Sequence, residues 1–289
     1  LGDGTTASKT SPVPVEGLTG VSGVTAGSQH SCAVLTDGTV ACWGQNVNGQ
    51  LGDGTTVSKT TSVAVKGLTG VQGISAGYYH TCALLADSTV ACWGNNGTGQ
   101  LGNGTTASKT SFVAVKGLAG AKAIAAGGFH TCALHASGTI ACWGDNDYGQ
   151  LGDGTTVNKT TPGTINGLTG VKSVAAGYKH ACALLADGTA DCWGSNDGSQ
   201  LGDGDSASKT GPVAVKGLTG TVAIAALYKH TCALQFDGTT ACWGSNDHGQ
   251  LGDGTTEKRA TPVAVNGLTD AKAIAAGHSH TCALLPDGT

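Results

Sequence analysis

The sequence predicts an all-β protein, a β-propeller of four-stranded blades about 50 residues long. Two observations carry that expectation. The pattern His-x-Cys-Ala followed by Cys-Trp-Gly recurs every fifty residues, opening at His30, His80, His130, His180, His230 and His280. Each period also breaks into strand-sized runs bounded by Gly and polar turn residues, with no helical periodicity. Composition agrees: among 289 residues there are 49 Gly and no Met, and charged residues are 12%, against a usual share of roughly 25%. Six stacked units make one domain: 1–50, 51–100, 101–150, 151–200, 201–250 and an incomplete 251–289. The ring they build is six- or seven-bladed.

One period shows the elements. Val71–Ala76 is a short first strand that ends at Gly77, and His80–Leu85 is the second. Ala86-Asp87-Ser88 is a turn, with Gly38, Gly138, Gly188 and Gly238 at the place of Ser88. Thr89–Trp93 is the third strand. A long polar loop with a Gly99-Gln100-Leu101-Gly102 centre follows, and Thr110–Val115 is the fourth strand.

The hairpin between strands two and three sets the cysteine chemistry. A three-residue loop with Gly in the left-handed third place is a type I turn plus bulge. With Thr36-Asp37-Gly38 as that loop, Leu35 faces Thr39, and Cys32 then faces Cys42. Directly opposed residues of paired strands are within disulfide reach. The expected bonds are Cys32–Cys42, Cys82–Cys92, Cys132–Cys142, Cys182–Cys192 and Cys232–Cys242. Cys282 has no counterpart ten residues on within this sequence. Zinc is a poor alternative, because structural zinc ligands usually come as C-x₂₋₄-C and here nine residues intervene. Reduced buried thiols remain as the other alternative. Two cysteines per period place the chain in an oxidising compartment, extracellular or at the cell surface.

Net charge is −4 and no Lys/Arg run exists, which argues against nucleic acid as a partner. No apolar run near 18 residues is present, so no membrane-spanning helix is expected.

The string Gly-x-x-His-Thr-Cys-Ala-Leu…Asp-Gly-Thr-x-x-Cys-Trp-Gly-x-Asn-x-x-Gly-Gln-Leu-Gly resembles the repeat of the regulator of chromosome condensation family. Gly77, His80, Trp93-Gly94, Asn96 and Gly99–Gly102 carry the match in one copy, and it extends over essentially the whole chain. The resemblance implies a propeller, usually of seven blades, used as a protein-binding platform. The paired cysteines depart from nuclear members and look like a secreted bacterial branch. The founder's nucleotide-exchange and chromatin roles depend on loop insertions and a basic tail that these near-identical repeats lack.

The sixth copy is the irregular one. Ser11-Pro12-Val13-Pro14-Val15 reads as a fourth strand that completes the blade begun by Ala271–Ala275. The strand between them would come from outside these residues, and donation by a neighbouring molecule is one source.

Side-chain diversity concentrates in two places. One is the pair before the repeated His: Ser28-Gln29, Tyr78-Tyr79, Gly128-Phe129, Tyr178-Lys179, Tyr228-Lys229 and His278-Ser279. The other follows Trp-Gly and includes Val47-Asn48, Gly97-Thr98, Asp147-Tyr148, Asp197-Gly198 and Asp247-His248. In an up-and-down blade both loops emerge on one face. Tyr78, Tyr79, Phe129, Tyr148, Tyr178, Lys179, Tyr228, Lys229, His248 and His278 are therefore the expected binding face. Simple drift of loop tips is the duller reading.

The repeated His reads as a structural hydrogen bond at the strand start, and the five Trp as packing between blades. Asp145-Asn146-Asp147 and Asp203-Gly204-Asp205 lack the full ligand set of a calcium loop. No metal, cofactor or catalytic constellation is expected, because no site breaks the repeat symmetry. Three glycosylation sequons begin at Asn96, Asn103 and Asn158, all in the long loop, where exposure is expected. The function that fits is a non-catalytic extracellular scaffold binding a protein or glycan through one loop face. The alternative is a structural subunit of a filament or surface layer, whose partner is another copy of itself.

Overall fold

The computed structural model describes residues 1–289: twenty-two strands and no helix. Blade 1 is β1 (Val21–Ala26), β2 (His30–Leu35), β3 (Val40–Gly44) and β4 (Lys59–Ala64). Blade 2 is β5 (Val71–Ala76), β6 (His80–Leu85), β7 (Val90–Gly94) and β8 (Lys109–Ala114). Blade 3 is β9 (Ala121–Ala126), β10 (His130–His135), β11 (Ile140–Gly144) and β12 (Lys159–Thr164). Blade 4 is β13 (Val171–Ala176), β14 (His180–Leu185), β15 (Ala190–Gly194) and β16 (Lys209–Ala214). Blade 5 is β17 (Thr221–Ala226), β18 (His230–Gln235), β19 (Thr240–Gly244) and β20 (Arg259–Ala264). Blade 6 holds β21 (Ala273–Ala276) and β22 (Thr281–Leu284). Each sheet is an antiparallel meander in chain order, and the first strands of successive blades are neighbours around the axis.

The expected register is the observed one. Cys32 opposes Cys42 and Val34 opposes Val40, the Leu35 N–H donates to the Thr39 carbonyl (2.9 Å), and Gly38 has φ +77°. All five predicted disulfides are formed. Each closes a short loop, worth about 2–3 kcal/mol.

The core sits in the seams between blades. Cys82, Leu84, Val90 and Cys92 of blade 2 pack on Ala133, Ala141 and Trp143 of blade 3. In blades 2 to 5 the second and third strands are buried on both faces, because each lies between two neighbours. Polar bonds cross the seams as well. The Gln50 carbonyl of blade 1 accepts from the Trp93 indole N–H (2.9 Å) and the Thr81 hydroxyl (2.9 Å) of blade 2. Having donated its proton, Thr81 Oγ1 accepts from His30 Nε2 (2.9 Å). That arrangement fixes a neutral imidazole protonated at Nε2.

Blade 6 departs from the expectation. Ser11–Val15 forms no strand and does not join β21 and β22. The N-terminal segment lies on blade 1 instead: Gly4 N–H donates to Thr60 O (3.0 Å) and Ser62 Oγ to Glu16 O (3.3 Å). The reason is topological, since a fourth strand hydrogen-bonds only to a third. Cys282 is free and exposed, opposite Ala275. β21 does not pack on β1 as other successive first strands pack, and Val24 on β1 is 73% exposed.

Two predictions follow from this framework. Ser88 holds φ +65° where Gly38 and its equivalents have no Cβ to strain; Ser88→Gly is expected to raise stability by about 1 kcal/mol, read as a higher thermal midpoint. The second concerns acid. Burial pushes the imidazole pKa down to about 4 for His30, His130 and His230, and to about 3 for His80 and His180. An unfolded histidine titrates near about 6.5, so below that pH the unfolded chain binds protons that the folded ring refuses. Stability is full above about pH 6.5 and is lost as pH falls toward 4. Denaturant midpoints should agree between neutral and mildly alkaline buffer and drop in acetate; equal midpoints throughout would refute the assignment.

Candidate functional site

The two variable loops form one surface. Asn95 N–H donates to Tyr79 O (2.8 Å), and the same bond recurs as Asp145 to Phe129, Ser195 to Lys179 and Ser245 to Lys229. The long loop beneath is held by its asparagine. Asn46 Nδ2 donates to Asp53 Oδ1 (3.1 Å), Thr55 O (3.1 Å) and Val57 O (3.2 Å), and Oδ1 accepts from Leu51 N–H (2.9 Å). With Asn46 and Gln50 buried, only positions such as Val47 and Asn48 project.

The aromatic residues of this face converge over the axis. Tyr78 and Tyr178 have ring centroids 4.7 Å apart, Tyr178 and Tyr228 5.3 Å, and Tyr228 stacks on His278 at 3.9 Å. Phe129 touches Tyr78, Tyr79 and Tyr178 at 5.9–6.2 Å. The band covers a chamber of about 450 Å³ lined by Ala26, Ala76, Ala126, Tyr78, Tyr178 and His278. Burial pushes the Tyr78 hydroxyl pKa up, and its oxygen has no hydrogen-bond partner.

Tyr178 reaches Tyr78 by passing over blade 3. Position 128 must then be glycine, because a Cβ there would stand 2.5 Å from Tyr178 Cδ2. The Gly128 N–H also donates to Gly177 O (3.0 Å). Beside the band lies a cleft of about 160 Å³. Lys179 Nζ sits 4.1 Å above the Tyr148 ring, and Lys229 Nζ is 2.6 Å from Asp197 Oδ2. Tyr148 is 41% exposed and is the open aromatic of this face. Asp145 is buried, which pushes its pKa up, and accepts from Gln150 Nε2 (2.7 Å).

Nine of the ten expected face residues thus meet in the band and the cleft. His248 is exposed and stands apart, its backbone N–H donating to Gln250 Oε1 (2.9 Å). The three central tyrosines are half-buried in one another, so they are partly core. The sequon at Asn96 is corrected outright: the residue is fully buried and its amide ties down the loop through Thr105 O (2.9 Å) and Ala107 O (3.1 Å). Asn103 is partly buried, its Oδ1 accepting from Thr105 (3.1 Å); Asn158 is exposed, and its Oδ1 accepts from Asn146 N–H (2.6 Å). Asp203 binds Lys209 (3.3 Å), and no three His, Cys, Asp or Glu side chains converge as metal ligands.

Sequence reasoning missed the contacts that cross between blades. Tyr148–Lys179 and Asp197–Lys229 join residues 31 and 32 apart, and the same offset appears in Thr98 Oγ1 donating to Phe129 O (3.1 Å). That recurrent offset is the signal that would have found them.

Tandem four-stranded, disulfide-bearing blades define a β-propeller. The chain belongs to the RCC1-like domain family, which it matches over residues 1–283. No curated protein sequence matches it. Among solved structures it is similar to yeast RCC1 (Prp20) bound to Kap60, at 24% identity and TM-score 0.81, covering 92% of this chain and 68% of that one. It is also similar to human WBSCR16 (24%, TM-score 0.80, 90% and 70%) and to the ectodomain of the Physcomitrella patens receptor kinase CR4 (22%, TM-score 0.58, 93% and 59%). At these identities the likeness is one of fold.

Gly128→Ala is expected to displace Tyr178 from the band. The near-ultraviolet circular dichroism of the tyrosines should weaken and stability fall by about 1–3 kcal/mol, whereas alanine at exposed Gly97 should leave the tyrosine signal unchanged.

Proposed function

We propose that this propeller is a non-catalytic scaffold that binds a protein ligand through the aromatic face, in an extracellular or cell-surface setting. The single observation behind the reading is the union of variability with aromatic surface. The positions that escape the repeat are the ones that build the Tyr79–Tyr78–Tyr178–Tyr228–His278 band and the Tyr148–Lys179 cleft. Exposed Tyr is enriched among interface anchors, and a preformed rigid face lowers the ordering cost of binding. A disulfide in each complete blade supports the compartment, since such bonds persist in oxidising surroundings. The yeast neighbour, solved bound to Kap60, offers a precedent for protein binding on this fold.

The test places a photo-crosslinking amino acid at Tyr148, and in a second variant at Phe236. Phe236 is 79% exposed in the turn between β18 and β19, on the opposite face. A protein partner should crosslink from position 148 and not from 236. Crosslinks to a second copy of the chain would favour the filament subunit, and equal labelling from both positions would overturn the face assignment. Once a partner is in hand, Tyr148→Ala with Lys179→Ala should weaken binding about ten-fold or more with little change in melting. Tyr178→Ala should lower both.

A further inference from the structure

Of the four seams between complete blades, one is built differently. Seam 1/2 carries three polar bonds: His30–Thr81 (2.9 Å), Thr81–Gln50 O (2.9 Å) and Trp93–Gln50 O (2.9 Å). Seam 2/3 repeats them with His80, Thr131, Gln100 and Trp143, and seam 4/5 with His180, Thr231, Gln200 and Trp243. Seam 5/6 keeps His230–Thr281 (3.0 Å) and Thr281–Gln250 O (2.9 Å). At seam 3/4 the threonine is replaced by Ala181. Of that set of three only Trp193 still donates across it, to Gln150 O (3.0 Å), and His130 is fully buried with both ring nitrogens unpartnered, while the backbone bonds from Gly128 N–H to Gly177 O (3.0 Å) and from Gly154 N–H to Thr210 O (2.8 Å) also cross.

A second departure falls in the same seam. Asp191 stands where the other complete blades carry Ala41, Ala91, Ala141 and Ala241. It opposes Ala183, which packs against Cys132 and Leu134 of blade 3, so Asp191 faces blade 3 as well. It is half-buried and has no hydrogen bond or ion pair. An unpartnered buried imidazole and an unpaired carboxylate both weaken an apolar contact.

We infer that the seam between blades 3 and 4 is the joint of this propeller and opens ahead of the other three seams between complete blades. Directly above it Phe129 and Tyr148 of blade 3 meet Tyr178 and Lys179 of blade 4. A ligand seated there touches both sides of the joint and closes it; that consequence rests on the proposed binding face, whereas the joint itself does not.

Four indole N–H groups report one seam each: Trp93, Trp143, Trp193 and Trp243. Their exchange with deuterated solvent, followed by NMR on the full chain with disulfides intact, reads opening seam by seam. Trp193 should exchange about ten-fold faster than the other three, as the loss of two hydrogen bonds implies. Ala181→Thr should slow Trp193 to their rate and leave theirs unchanged. Thr131→Ala, which strips seam 2/3 of the same bonds, should speed Trp143 by a similar factor. Equal exchange at all four indoles in the unsubstituted protein overturns the joint, as does a folded Ala181→Thr variant with Trp193 unaltered. Should that variant not fold, the unsubstituted protein and Thr131→Ala still decide. Failure here leaves crosslinking from position 148 untouched, and failure of that crosslinking leaves the joint intact.

Discussion

The carbonyl of a buried glutamine is the node on which this propeller turns. Blades share no backbone ladder, so nothing in the sheets fixes how one blade sits on the next. The seam clusters are assembled from Ala, Val, Leu and cystine sulfur, and such surfaces tolerate sliding. Gln50 O and its equivalents remove that freedom by accepting from an indole and a hydroxyl of the next blade. The hydroxyl in turn accepts from the imidazole of the first blade. One carbonyl thus sets the spacing of Trp, Thr and His at once, and with them the tautomer of each buried histidine that meets such a threonine. Directional bonds in a dry interface have few alternative geometries, so the seam register becomes unique.

Disulfide and node divide the work between them. Cys32–Cys42 and its equivalents act within a blade, where they restrict the unfolded chain. The nodes act between blades, where they resist opening of the folded ring. The cystines of blades 1 to 4 are buried in seams beside the neighbour's Ala and Trp residues, so the two devices share one stretch of core. The frame so made is stiff, and side chains carried on its upper loops can depart from the repeat without disturbing it. That is why aromatic and charged residues collect there. Gly128 shows the limit of that freedom, because a residue in a variable loop is fixed by the ring of another blade.

The fold class, the strand order and each disulfide partner were legible in the sequence because they depend on local quantities. A two-residue side-chain alternation, a three-residue turn and a fixed period need no knowledge of neighbours. Residues 11–15 and Asn96 were misread for the converse reason. A strand needs a partner at hydrogen-bonding distance, and a sequon is accessible only if the fold leaves its amide free. Comparing repeats with one another singled out loop positions of which nine adjoin in the band and the cleft, yet their half-buried packing over the axis was not legible.

By itself, then, the sequence determined what one blade is: four antiparallel strands, a left-handed turn, a cystine, and two loops on a common face. Only the tertiary structure decided how blades meet. It put Lys179 on Tyr148, Tyr178 over Gly128, and an unpartnered His130 opposite Ala181. Those contacts join residues about 30 to 100 positions apart in the chain through the angle between adjacent sheets. No local rule encodes that angle; it follows from side chains packing to full density across every seam at once.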